Sequence, residues 1–197
     1  MRVGIIVGHD EKSQGARTYN NITEYTFNYF VAQMMKQLHE FKVLNNYNKI
    51  AHIEVIDRND GWAAVQNIIK KSKCLTTLEL HFNSFEIIAR GVETLAISGD
   101  DPSESFASFI SSRIAKEYRS TIRHGNGVYD VSSGERGFHN LNQAKSAGTY
   151  ISVLVEPGFL NHKSAESKAI VCEPLRYANI IYKALEDWVD TEERLLS

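Results

Sequence analysis

The chain has 197 residues, of which 43% are hydrophobic, and its formal net charge is −2. This length and composition suit one domain with a single large core. The nearly balanced charge gives no support to a strongly basic surface that would bind nucleic acids or acidic membranes, and no apolar run approaches the roughly 20 residues that span a bilayer. We therefore expect one domain over 1–197, with no nucleic-acid partner and no stable membrane association.

The first residues and the cysteines indicate the compartment. The N-terminal segment "MRVGIIVGHD" begins directly as a short strand and lacks the pattern of a signal peptide. Cys74 and Cys172 are too few for a disulfide framework, and neither has a neighbour at metal-binding spacing. We expect the protein to be made and folded in a cytoplasm, with both thiols reduced.

Hydrophobic patterns along the chain predict strands that alternate with helices. Strands are predicted at 2–7, 51–56, 76–82, 91–97 and 150–155. Helices are predicted at 21–41, 61–72, 103–119 and 165–188, and a Gly- and Ser-rich loop is predicted at about 122–148. The final "EDWVDTEERLLS" suits a fraying, solvated helix end. The alternation predicts an α/β fold, a mostly parallel twisted sheet with helices on both faces.

Polar residues follow the predicted strands where ligands gather in such sheets, beyond the carboxyl ends. In "TTLELHFNS", residues 76–84, apolar side chains alternate with Glu79, His81 and Asn83. This polar face is either simply exposed to solvent or part of a metal site with partners elsewhere. Candidate partners are His9 after the first strand and Glu24 early in the next helix.

Two imidazoles and a carboxylate form a common Zn²⁺ ligand set that leaves one tetrahedral position open. Glu156, directly after the last strand, would then supply a carboxylate that moves protons. Each residue also has a simpler interpretation. The histidines suit structural hydrogen bonds, Glu24 suits a first-turn acid favoured by the helix dipole, and Glu156 suits a loop acid.

Seven short motifs, in order from residue 3 to about 162, together resemble the zinc-dependent N-acetylmuramoyl-L-alanine amidases of the amidase_3 family. They are "VGIIVGHD", "GAR", "NITEYTFN", "IDR", "LELHFNS", "GVETL" and "VLVEPGFLN". The resemblance implies that His9, Glu24 and His81 bind Zn²⁺ and that Glu156 is the catalytic carboxylate. Arg136 resembles an arginine of the family; its planar guanidinium suits substrate binding through a peptide carboxylate, and a surface role suits it equally well.

The sequence departs from the usual family pattern at two positions. Asp10 follows the first ligand where glycine is common, and Glu79 stands where many relatives have serine. These departures bear on substrate detail more than on reaction type.

The resemblance implies a hydrolase that cuts the amide between the lactyl group of N-acetylmuramic acid and L-alanine in peptidoglycan. The "LELH" strand and the absence of a signal peptide resemble phage endolysins, which are made in the host cytoplasm and act on the wall in the periplasm. We expect a monomer that consists of the catalytic domain, without a separate wall-binding module.

Two alternatives stay open at this point. One is another zinc hydrolase on a similar sheet, such as a carboxypeptidase; the other is a wall-binding relative that has lost turnover. The sequence does not assign roles to Glu79, Glu93, His139 and His162. We expect His39, His52 and His124 to be solvated.

Overall fold

A computed structural model describes residues 1–84, 89–160 and 165–195. Its strands are β1 (Arg2–Val7), β2 (His52–Ile56), β3 (Thr76–Leu80), β4 (Glu93–Ile97), β5 (Val128–Val131) and β6 (Ile151–Glu156). Its helices are α1 (Glu24–Leu44), α2 (Gly61–Ser72), α3 (Asp101–Tyr118), α4 (Phe138–Ser146), α5 (Ala165–Cys172) and α6 (Pro174–Leu195).

The strands form one sheet in the order β2-β1-β3-β6-β4-β5. The first four of these are mutually parallel, β4 pairs antiparallel with β6, and β5 pairs parallel with β4. The carboxyl ends of β1, β3 and β6 therefore lie side by side at one edge, together with the amino end of β4. The predicted α/β fold with a mostly parallel sheet is confirmed.

Helices cover both faces of the sheet. The larger apolar cluster combines one face with side chains from α1, α3, α5 and α6, and Phe106, Tyr177 and Tyr182 are fully buried in it. Smaller clusters pack α2 and α4 on the opposite face. Within the described part of the chain, no helix is both long enough and apolar enough to cross a membrane.

The loop predicted at about 122–148 is wrong, because it contains β5 and α4. β5 is a four-residue edge strand, "VYDV", that follows Gly127 in a left-handed conformation (φ +83°). α4 has nine residues, too few for local propensity alone to indicate a helix in water. Both elements depend on packing against β4 and β6, which the local sequence does not reveal.

The helix predicted at 165–188 is in fact two helices that meet at Glu173. Pro174 begins α6, and its ring and missing N–H prevent α5 from continuing. The segment 186–197 was also predicted to be a fraying, solvated helix end, and this prediction is wrong for its first residues. The Trp188 side chain is buried and packs against the rings of Phe106 and Phe109, at centroid distances of 5.2 and 5.4 Å.

Candidate active site

Two histidines lie side by side beyond the ends of neighbouring parallel strands. His9 follows β1 and His81 directly follows β3, and the Gly8 N–H donates to the Leu80 carbonyl at 3.0 Å, joining the two strand ends. The imidazole centroids are 4.9 Å apart. Sheet pairing thus brings together two residues that are 72 positions apart in sequence.

Glu24 lies between these imidazoles and is buried. One carboxylate oxygen accepts from the Phe82 N–H at 2.8 Å and lies 3.1 Å from Nδ1 of His81. The other accepts from the Ala16 N–H at 3.2 Å and lies 3.2 Å from Nε2 of His9. Glu24 is the first residue of α1, so the N-cap of that helix sets its position.

The pKa values of this cluster show that it stabilises positive charge. Burial would raise the pKa of Glu24, but hydrogen bonds with His81 and His9 hold it at about 2. Burial would lower the pKa of His81, but hydrogen bonds with Glu24 and Glu79 raise it to about 10. A buried anion therefore needs a cation beside it, and a metal ion can replace the imidazole proton.

The donor set fits a zinc ion. One ligand atom from each of His9, Glu24 and His81 can be chosen so that all three lie within 4.8 Å of one another. The contacts of 3.1 and 3.2 Å, one from each carboxylate oxygen of Glu24 to a histidine nitrogen, place this carboxylate within reach of both imidazoles. Two neutral nitrogens and one anionic oxygen leave a fourth position open for water or substrate.

Glu79 fixes the orientation of the His81 ring. Its Oε1 lies 2.9 Å from Nε2 of His81 and accepts from Arg58 at 2.8 Å and from Asn140 at 2.9 Å. With the proton on Nε2, the lone pair of the ring lies on Nδ1, the nitrogen nearer Glu24, where it is free to bind a metal ion. The solvent-exposed interpretation of this polar face is wrong at Glu79, because β3 is covered on both sides and Glu79 is 2% exposed.

We expect Glu79→Gln to weaken zinc binding about 10- to 100-fold, because a neutral amide orients the imidazole less firmly and makes it a weaker ligand. Competition with a chromogenic chelator measures the affinity. Glu54→Gln, which changes a half-buried acid that contacts His52 and Ser72, is the matched control. Equal zinc affinity in the two variants would show that Glu79 does not support the metal site.

A glycine brings the loop after β1 close to the cluster. Gly15 has φ +71°, and a Cβ there would lie 2.5 Å from the His9 ring and 2.7 Å from a Glu24 oxygen. His9 itself has φ +67°, uncommon for a residue with a side chain. The Asp10 carboxylate accepts from two N–H groups of its own loop at 2.8 and 2.9 Å, which anchors it within the loop.

Glu156 ends β6 and is buried beside Arg136. Nη1 of Arg136 donates to both carboxylate oxygens, at 2.7 and 2.8 Å. Burial raises the pKa of Glu156 to about 7, although the guanidinium lowers it. Near neutral pH this carboxyl is therefore suited both to accept and to donate a proton.

The Glu93 carboxylate binds the Arg136 guanidinium and fixes its position. Because β4 is antiparallel to β6, Glu93 is the register partner of Glu156. Its buried carboxylate accepts from Nη2 of Arg136 at 2.6 Å, from Nε of Arg123 at 2.7 Å and from Nε2 of His124 at 2.6 Å. Burial would raise the pKa of Glu93, but hydrogen bonds with Arg123, Glu156 and His124 hold it below its usual value.

A cavity of about 400 Å³ joins the two halves of the site. The structure brings all five predicted residues to its wall, namely His9, Glu24, His81, Arg136 and Glu156. Leu95 and Leu154 add apolar surface, and Gly137 allows the loop before α4 to approach, since a Cβ there would lie 2.5 Å from Leu95.

The structure places the other histidines differently. His139 contacts the Trp62 ring edge at a centroid distance of 6.1 Å and does not line the cavity. His162 lies outside the described residues. His39 and His124 were expected to be solvated. His39 is instead buried against the Tyr182 hydroxyl, whereas His124 is exposed as expected and also contacts Glu93.

Sequence reasoning missed the supporting residues Arg58, Asn140, Arg123 and His124. Arg58 stands in the "IDR" motif and Glu93 in "GVETL", so both carried a signal without a role. Asn140, Arg123 and His124 stand in no recognisable motif, and only the fold brings them to the site.

The α/β sheet gathers two histidines and a buried glutamate that could hold a metal ion, beside a second carboxyl of raised pKa, and this arrangement is suited to hydrolysis. A family model described as N-acetylmuramoyl-L-alanine amidase matches residues 3–187, so the chain belongs to that family. Amidases of this family act on peptidoglycan, and the match supports this activity for the chain.

Solved structures of amidases have the same fold. An N-acetylmuramoyl-L-alanine amidase from Clostridium difficile 630 has a TM-score of 0.70 and 20% identity, with 96% of each chain covered. The catalytic domain of CwlV from Bacillus (Paenibacillus) polymyxa var. colistinus has a TM-score of 0.69 and 22% identity, with 96% of this chain and 99% of that one covered. No curated protein sequence gives a significant match.

Proposed function

We propose that this protein is a zinc-dependent amidase that hydrolyses the bond between the lactyl group of N-acetylmuramic acid and L-alanine. The observation that carries the proposal is the single cavity in which the His9, Glu24 and His81 donors face the buried Glu156 carboxyl, on the fold of the amidase family. Zinc bound by those three residues supplies positive charge that polarises the scissile carbonyl and lowers the pKa of water.

Glu156 moves the proton in this proposal. As a carboxylate it accepts a proton from the attacking water, and as a carboxylic acid it donates that proton to the departing alanine nitrogen. A pKa of about 7 gives both forms comparable populations at neutral pH. Arg136 holds the carboxyl in place through its two contacts with Glu156 and its anchor on Glu93.

The product pattern tests the bond that is cut. We expect peptidoglycan digested with the purified protein to release stem peptides with a new L-alanine amino terminus and to leave the glycan strands uncut. Mass spectrometry of the products measures both. New reducing ends without new alanine amines would mean a glycosidase, and cleavage within the stem would mean a peptidase such as the carboxypeptidase alternative.

The biological setting that we propose is phage lysis, on the basis of the resemblance of the "LELH" strand to endolysins. We expect cells that express the protein in the cytoplasm to keep their turbidity until chloroform permeabilises the inner membrane, and then to lyse. Glu156→Ala is the inactive control. Cells that stay turbid after permeabilisation, although purified peptidoglycan from the same strain is digested, would contradict the lysis role.

A further inference from the structure

A second cavity, of about 470 Å³, adjoins the one that contains the metal ligands. The two share Asn83, Ser84 and Arg136 in their walls. The second cavity adds Arg123 and His124, whose side chains are each 34% exposed. It is therefore an extension of the cleft, with Arg136 at the boundary between the two cavities.

Among the described residues, Arg123 and Arg136 bring guanidinium groups to the surface of this second cavity. Glu93 is the only acid among the described residues that line it, and its carboxylate is fully buried beneath Arg123, His124 and Arg136. Both Glu93 oxygens already accept hydrogen bonds from these side chains. The Glu93 carboxylate thus holds the two guanidinium groups from below, while their outer edges face the cavity.

Aromatic rings hold the guanidinium groups in place. Arg123 lies over the Phe159 ring at 5.0 Å, and Arg136 lies over the Tyr129 ring at 4.9 Å. Arg123 uses Nε to bind Glu93, and of its outer nitrogens Nη1 has one long contact, 3.5 Å, with the Arg90 carbonyl. A preorganised guanidinium with N–H groups directed at a cavity is well suited to bind a carboxylate.

The position of the cavity identifies which carboxylate it would meet. The proposed reaction sends the proton from Glu156 to the departing nitrogen, so the departing peptide lies on the Glu156 side of the metal ligands, where Arg136 leads into the second cavity. Two extended residues span about 7 Å. The second stem residue, D-glutamate, is linked through its γ-carboxyl and so presents a free α-carboxylate two residues from the cut.

We propose that the second cavity is a subsite for this α-carboxylate, with Arg123 as the specificity-determining residue. The proposal rests on the proposed amidase function, which supplies the direction of the peptide. Such a subsite would make the protein prefer stem peptides in which the α-carboxylate of the second residue is free. Peptides in which this group is an amide would bind less tightly.

Binding of the released peptide tests the subsite without turnover. Calorimetry compares L-alanyl-γ-D-glutamyl peptides that carry a free α-carboxylate with the same peptides amidated at that position, using the full chain loaded with zinc. We expect the free acid to bind about 10-fold more tightly, the effect of a charge-assisted hydrogen bond at a partly exposed site. Arg123→Gln should abolish the difference and Arg123→Lys should retain part of it.

Arg113→Gln is the matched control, because Arg113 pairs with an exposed acid, Asp187, in α6. It should bind both peptides as the wild type does. Equal affinity of the wild type for the two peptides, or discrimination that survives in Arg123→Gln, would overturn the subsite. If the protein discriminates between the peptides yet cuts no muramoyl–alanine bond, the subsite stands and the proposed amidase reaction falls.

Discussion

Replacing Glu156 with glutamine will leave the protein folded and zinc-loaded while turnover falls about 100- to 10,000-fold, the usual effect of removing a general base. The amide keeps the size of the side chain and an oxygen for Arg136, but it cannot accept the proton of water or return it to the leaving nitrogen. Single-turnover assays on muropeptides measure the loss, and elemental analysis measures the metal. Turnover close to wild type would remove Glu156 from the mechanism.

The pH profile gives a second readout of the same residue. The general base must be deprotonated, and burial raises the pKa of Glu156 to about 7. The wild-type kcat/KM should therefore fall as the pH drops below about 7 and approach a plateau above it. The residual kcat/KM of Glu156→Gln should not fall in this way at low pH. A fall with the same midpoint in both proteins would assign the titration to another group.

Replacing His81 with alanine will remove bound zinc from a protein that otherwise binds about one ion per chain. The substitution removes one of the two proposed nitrogen ligands and leaves Glu24, a buried carboxylate, with fewer partners. Activity should disappear with the metal, and chelation should inactivate the wild type in the same way. Zinc content by elemental analysis and activity on peptidoglycan provide the two measurements.

His139→Ala is the control for this prediction. His139 is partly exposed at the start of α4, contacts the Trp62 ring and does not line the cavity, so its removal should leave the zinc content unchanged. Circular dichroism shows whether the His81 variant is folded. Zinc retained at one ion per chain in folded His81→Ala would refute the ligand assignment.

Much of the fold was predictable because its long elements have clear hydrophobic periods. β1, β3 and β6 end where the sequence indicated, within two residues, and the parallel sheet then brings His9, His81 and Glu156 to one edge. A helix that starts right after a loop from that edge returns Glu24 to the same place. Strand ends and helix starts are properties that local patterns carry well.

The missed features depend on contacts between distant parts of the chain. The direction of β4 was not predicted, and this direction makes Glu93 a neighbour of Glu156. Arg123 and His124 follow α3 in a segment that looked like a loop, and they contact Glu93 across 30 and 31 positions. Solvent exposure stayed an open alternative for Glu79, because α4, which supplies Asn140, was hidden in the same segment.

Because β4 runs antiparallel to β6, the length of the connection before β4 is independent of the strand lengths and of the core. β3 runs towards the cleft and β4 runs away from it, so the connection between them leaves and re-enters the sheet at the same edge, and both Ser84 and Ala89 border the second cavity. Residues inserted beside Ser84 or Ala89 would lie at the border of this cavity without lengthening a strand or disturbing the core. The border of the cavity can therefore change in length at little cost to folding stability.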